Sequence, residues 1–135
     1  MEFVEIFKAL ADENRLRILN VLNQGELCVC EIETLLGITQ SNASRHLNKL
    51  KSLKIIDSDK KSQWVYYNIN KNFIKENEML YNYLKDNFEK CTTCKEDLEK
   101  LKTYRDSSFT CDEIREDKES VLKYLEGCYG CKKRK

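Results

Sequence analysis

The stretch Thr39-Gln40-Ser41-Asn42-Ala43-Ser44-Arg45-His46-Leu47-Asn48-Lys49-Leu50 decides how the rest of the chain is read. Thr39 or Ser41 supplies the side-chain oxygen that a helix start needs for its orphan amides, and the helix then runs to about Leu53. Ala43, Leu47, Leu50 and Leu53 recur at the three- and four-residue spacing of a buried stripe. The opposite face carries Gln40, Ser41, Asn42, Ser44, Arg45, Asn48 and Lys49. Small, polar and cationic side chains of this kind suit hydrogen bonds to base edges and phosphates in a major groove.

Working outward toward the N-terminus, Gly37 separates this helix from a shorter helical segment, Cys28 to Leu36, with Ile32, Leu35 and Leu36 turned inward. The two segments form a helix-turn-helix. Upstream, Asp12 is placed to cap a helix that continues through Leu22, with Leu16, Leu19 and Leu22 as its stripe and Ile18 and Val21 widening it. Asn23-Gln24-Gly25 ends that helix, and Gly25 suits a left-handed C-terminal cap. Phe3 to Leu10 is a short amphipathic helix. Toward the C-terminus, Ile55 to Ile69 alternates and is rich in β-branched and aromatic residues, which predicts a β-hairpin with a basic turn near Asp59 to Ser62. A helix-turn-helix followed by a hairpin is a winged helix, with the turn as wing and Trp64 packed beneath it.

From about Phe73 the helical pattern returns. Met79, Leu80, Tyr83, Leu84 and Phe88 form a long stripe suited to a homodimer interface, to which the N-terminal helix adds. Leu98, Leu101 and Tyr104 continue it after Cys91 and Cys94, Ser107-Ser108 interrupts, and a last helix is expected from about Asp112 to Glu126. The fold class is therefore mainly α with a small β-hairpin. Residues 1–72 form a winged helix-turn-helix DNA-binding domain, and residues 73–135 a helical dimerisation segment with a cysteine-rich tail.

Charge supports that division. The 135-residue chain carries a formal +1 overall, yet residues 39–71 carry +5 and the remainder −4. Phosphate binding needs a local positive face, not a basic protein. Arg45, Lys49, Lys60 and Lys61 are the candidate phosphate and base contacts beside Gln40, Ser41, Asn42 and Ser44. Gln40 has the geometry for adenine, and Arg45 for guanine or phosphate. Double-stranded operator DNA is the expected partner. With no apolar run of about 18 residues and no basic-then-apolar leader, neither membrane insertion nor secretion is expected, and the chain is read as cytoplasmic. An enzyme is not expected either. His46 is the single histidine, more suited to a structural or DNA-facing place than to metal, and no glycine-rich phosphate loop or Ser/His/Asp constellation is present.

Seven cysteines point to soft-metal or redox chemistry in a reducing compartment. Cys28 and Cys30 stand at the entrance of the helix-turn-helix. On an ideal helix residues i and i+2 lie about 200° apart, so chelation by both needs an unwound helix start; otherwise they are small core hydrophobes. Cys91 and Cys94 are three apart, and Cys111 and the pair Cys128-Tyr129-Gly130-Cys131 follow. These five could hold zinc or another thiophilic ion, could carry an iron–sulfur cluster, could act as a redox dithiol, or could supply a further thiolate to the first pair. The basic end Lys132-Lys133-Arg134-Lys135 is a solvated charge run.

Four pieces in order resemble the ArsR/SmtB family of winged-helix metalloregulatory repressors. They are Phe7 to Leu19, Glu26-Leu27-Cys28-Val29-Cys30-Glu31-Ile32, Ser41-Asn42-Ala43-Ser44-Arg45-His46-Leu47, and Gln63-Trp64-Val65-Tyr66-Tyr67. The resemblance covers roughly the first 90 residues and implies a homodimer that releases operator DNA when its inducer binds. It implies arsenic(III) or antimony(III) as inducer at Cys28 and Cys30, controlling an arsenic-resistance operon. In many arsenite sensors of the family a third cysteine stands where this chain has Glu33, so any third thiolate comes from elsewhere. A cadmium, lead or zinc sensor, or a redox or sulfide sensor on the same fold, are the alternatives.

Overall fold

The structure is a computed structural model, and it describes residues 1–107. Cys111, Cys128, Cys131, the expected helix from Asp112 and the basic end lie outside the described residues. The element order is α1 (Glu2–Leu10), α2 (Glu13–Leu22), β1 (Leu27–Cys28), α3 (Val29–Leu36), α4 (Gln40–Ser52), β2 (Ile56–Lys61), β3 (Trp64–Ile69), α5 (Lys71–Glu76), α6 (Glu78–Lys90) and α7 (Thr92–Asp106).

Local chemistry sets most of these boundaries. Asp12 caps α2 from extended backbone and accepts the Arg15 amide at 3.1 Å. Thr39, not Ser41, caps α4 and accepts the Asn42 amide at 3.1 Å. Gly37 ends α3 in the left-handed region, φ 67°. At the end of α2 the cap is Asn23, in right-handed backbone, while Gly25 makes the following turn at φ 137°. The end of α4 closes with Ile55 N–H on Leu50 O and Lys54 N–H on Lys51 O, a Schellman pattern that puts Lys54 at φ 60°.

The expected hairpin is present with one more strand beside it. The sheet order is β1-β3-β2, all antiparallel, with Leu27 opposite Tyr67, Cys28 opposite Tyr66 and Lys61 opposite Trp64. The turn is therefore the two residues Ser62 and Gln63, later than the sequence placed it, with Ser62 at φ 61°. Tight two-residue turns of this kind need positive φ at a central position. The C-terminal stripe is also broken into separate helices. Asn70 caps α5 on the Phe73 amide at 2.8 Å, and Cys91 stands in extended backbone between α6 and α7.

One core joins all of this. Ile18, Leu19, Leu27, Ile32, Leu35, Leu47, Leu50, Ile55 and Ile56 are buried at its centre, and Phe73, Tyr81, Leu84, Phe88, Leu101 and Tyr104 belong to the same cluster. The described residues on both sides of residue 72 therefore share their apolar packing. Phe3 and Phe7 on α1, and Met79 and Tyr83 on α6, remain exposed. No helix among the described residues is long and apolar enough to cross a membrane.

Candidate nucleic-acid interface and thiol sites

The polar face of α4 is open. Gln40, Ser41, Asn42, Arg45, Asn48 and Lys49 are exposed and Ser44 is half-buried, while Ala43, His46, Leu47 and Leu50 turn inward. The Arg45 guanidinium reaches the Asn42 side-chain oxygen at 3.4 Å, so the two project from one patch. Lys60 is exposed on the wing. Lys61, by contrast, donates to Glu26 at 2.5 Å and lies 5.7 Å above the Tyr66 ring. That hydrogen bond raises its pKa and folds the ammonium back toward the sheet.

His46 takes a structural place. It is 2% exposed, and Arg15 donates to its Nδ1 at 3.2 Å while Asp12 lies 4.0 Å from its Nε2. Burial lowers its pKa; Asp12 works against the shift, and Arg45 and Arg15 work with it. Arg15 also donates to the Ala9 carbonyl at 2.6 Å, so a single guanidinium ties the end of α1 to α4. α4 is thus held from behind while its polar face stays open.

Cys28 ends β1 and caps α3 in extended backbone, φ −86° and ψ 168°. Cys28 is thus extended, and the helix is regular from Val29 onward. Cys30 is the second helical residue, and both thiols are buried. The third helical residue, Glu31, accepts the Cys28 amide at 2.9 Å, one half of a capping box. Its other oxygen accepts the Tyr104 hydroxyl at 2.5 Å. Glu33, where a third thiol would stand, is buried. Among the described residues, no three His, Cys, Asp or Glu side chains come together as a metal-holding group. The donor set at this point is a pair of thiols, chemically fitted to two positions of a thiophilic ion.

Cys91 and Cys94 form a second pair at the other end of the chain. Cys91 is exposed and caps α7; Cys94 is 5% exposed in its first turn. Asp97, one turn further on, accepts Arg17 Nε at 2.8 Å and Nη2 at 2.9 Å, and the same guanidinium donates to the Leu36 carbonyl at 3.1 Å. Asn20 donates to the Cys94 carbonyl at 3.0 Å. Sequence reading gives Arg17, Asn20 and Asp97 no role, Glu31 only a place in a motif and Tyr104 only a place in an apolar stripe. Asn20, between Leu19 and Val21, and Asp97, beside Leu98, are polar residues among apolar ones, which is a signal; nothing local announces that partners 80 residues apart will meet.

Comparison with known proteins agrees with this geometry. The family model described as "Bacterial regulatory protein, arsR family" matches residues 12–58. The chain is 44% identical over 75 residues to the cadmium resistance transcriptional regulatory protein CadC of Listeria innocua, covering 55% of this chain and 59% of that one. It is 40% identical over 70 residues to the arsenical resistance operon repressor of Bacillus subtilis, covering 51% of this chain and 67% of that one. Among solved structures, the homodimeric winged helix-turn-helix DNA-binding domain of Mb0332 from Mycobacterium bovis superposes with a TM-score of 0.56 at 32% identity, over 63% of this chain and 79% of that one. The chain thus spans about three fifths of the length of the cadmium regulator it matches.

Proposed function

Since the chain belongs to the arsR family of bacterial regulatory proteins, we propose that it is a dimeric repressor that releases its operator when a thiophilic ion engages Cys28 and Cys30. Arsenic(III) or antimony(III) is the inducer in this reading. The observation that carries it is the double placement of Cys28, at once the last residue of β1 and the cap of α3.

DNA reading falls to α4. Ser41, Asn42, Ser44 and Arg45 face base edges and nearby phosphates, Gln40 reaches adenine, and Lys49 and Lys60 neutralise phosphate. Lys61 adds phosphate contact by exchanging Glu26 for DNA. Dimerisation uses the exposed aromatic residues of α1 and α6, Phe3, Phe7 and Tyr83, with Met79. Residues 1–72 then read DNA, with α1 adding to the dimer that residues 73–135 hold. The Bacillus relative is named for arsenical resistance and the Listeria relative for cadmium, so cadmium is the second reading.

The coupling rests on this chain's own contacts. Bringing the two sulfurs to one side turns Cys28 away from its pairing with Tyr66 and opens the first turn of α3. The Cys28 amide then leaves Glu31, and strain passes along β3 into the wing and along α3 into α4. A coupling of this kind is typically about 1–3 kcal/mol. A third thiolate comes from beyond the pair, with Cys111, Cys128 and Cys131 as candidates.

The test is fluorescence anisotropy with reduced protein and DNA from upstream of its own gene, titrated with arsenite, cadmium, zinc and a mild oxidant. Arsenite is expected to release the DNA. Cys28→Ser is expected to bind DNA as the parent does and to ignore arsenite. Full arsenite response in that variant would move the sensing site elsewhere, and release by cadmium alone would change the inducer.

A further inference from the structure

A cleft of about 410 Å³ opens between α2, α6 and the start of α7. Leu16, Leu84 and Phe88 form its apolar wall, and both Cys91 and Cys94 belong to its lining. We propose that these two cysteines are a thiol–disulfide exchange site for small organic disulfides, with Cys91 as the attacking sulfur, Cys94 as the resolving sulfur and the cleft as the seat for the organic group. This inference stands apart from DNA reading and from the Cys28 and Cys30 pair.

The geometry comes from the helix start. A capping residue and the third helical residue face one another, which is the relation that a capping box exploits. Cys91 and Cys94 occupy those places on α7. Their sulfurs are therefore neighbours without any unwinding, one open to solvent and one closed off. The surroundings divide the two roles. No ordinary hydrogen bond from the Cys91 side chain closes the cap, yet the Cys94 amide, the Cys94 thiol and the Thr93 amide are near enough to favour its thiolate and lower its pKa. Burial, then the Cys91 sulfur, push the Cys94 thiol up to about 12. Cys94 thus stays protonated and waits, while Cys91 reacts. The anchors on either side, Asn20 on the Cys94 carbonyl and Arg17 on Asp97, keep this first turn in place.

The steps balance. The Cys91 thiolate attacks one sulfur of a disulfide RSSR, whose S–S bond breaks; one RS⁻ leaves and takes a proton from water. Cys94 then loses its proton to solvent and attacks the Cys91 sulfur. The Cys91–SR bond breaks, the Cys91–Cys94 bond forms, and a second RS⁻ leaves and is protonated. Two thiols have been oxidised and one disulfide reduced to two RSH.

The experiment takes as parent the reduced full-length chain carrying Cys111→Ser, Cys128→Ser and Cys131→Ser, without DNA, with dithiodipyridine as the aromatic disulfide probe and peptide mapping of the products. The parent is expected to release two thiopyridone groups in a fast phase and to yield a Cys91–Cys94 disulfide. Cys94→Ser is expected to stop after one and to retain a mixed disulfide on Cys91. Cys91→Ser is expected to lose the fast phase by about tenfold or more. A fast phase that survives Cys91→Ser, or a disulfide that joins Cys91 to any cysteine other than Cys94, would overturn the assignment. None of these results bears on whether the chain binds DNA or arsenite.

Discussion

Both described cysteine pairs begin a helix, and in both the first cysteine is the cap: Cys28 for α3 and Cys91 for α7. They differ by one residue of spacing. In the α7 pair the second cysteine is the third helical residue, the position that folds back over the cap. In the α3 pair that position belongs to Glu31, and Cys30 stands one residue earlier. The α7 pair can therefore close on itself within the folded helix. The α3 pair can close only if the helix start opens. Environment follows the same division, since both α3 thiols are buried while one α7 thiol is exposed. One residue of spacing separates a site suited to local chemistry from a site suited to moving the fold.

The largest expected effect tests what holds the α7 pair. Arg17→Ala leaves Asp97, whose side chain is 3% exposed, without its bidentate partner. A loss of about 3 kcal/mol is expected in urea unfolding, with alkylation of Cys94 accelerated far more than that of Cys28. Equal acceleration at both pairs would erase the distinction between them. Arg45→Ala should weaken DNA binding by about 1–3 kcal/mol at fixed salt and leave thiol reactivity at both pairs unchanged; unchanged affinity would remove Arg45 from the interface.

Glu31→Ala probes the α3 pair from the other side. It removes the acceptor of the Cys28 amide and of the Tyr104 hydroxyl, for an expected loss of about 1–2 kcal/mol. Cys28 should become more reactive while Cys91 does not; no change at Cys28 would mean that the cap does not guard it. The smallest effect is a pH dependence behind α4. His46 has a folded-state pKa below its unfolded value of about 6.5, so the folded state binds fewer protons. Its contribution is complete above that value and is lost as pH falls below it and through the lower folded-state pKa. Asp12, with a lowered pKa, loses its contribution only below about 3.8. Melting curves between pH 7.5 and 5.5 should show the slope, and His46→Gln should flatten it; the same slope in both proteins would assign the proton elsewhere.

Much of this architecture is legible in sequence because it is local. The Asp12 and Thr39 caps, the break at Gly37 and the stripe of α4 each depend on residues within one or two turns. β1 is not legible, because two residues carry no periodicity and the strand exists only through Tyr66 and Tyr67. The wing turn was placed early because Lys60 and Lys61 look like loop residues yet continue the ladder to Trp64. The breaks at Asn77 and Cys91 were hidden by an apolar stripe that runs across them. Arg17 with Asp97, and Glu31 with Tyr104, pair through tertiary contact, which no spacing rule anticipates. The asymmetry of Cys91 and Cys94 was equally hidden, since a shared helical face says nothing of which sulfur meets solvent.

The Glu31 carboxylate spends each oxygen on a different element, the Cys28 amide at the start of α3 and the Tyr104 hydroxyl near the end of α7. Neither contact can be given up without loosening the other. Native-state hydrogen exchange should therefore find the amides of β1, the first turn of α3 and the last turn of α7 opening together, as one cooperative unit with a shared free energy, although more than 70 residues separate Glu31 from Tyr104 along the chain.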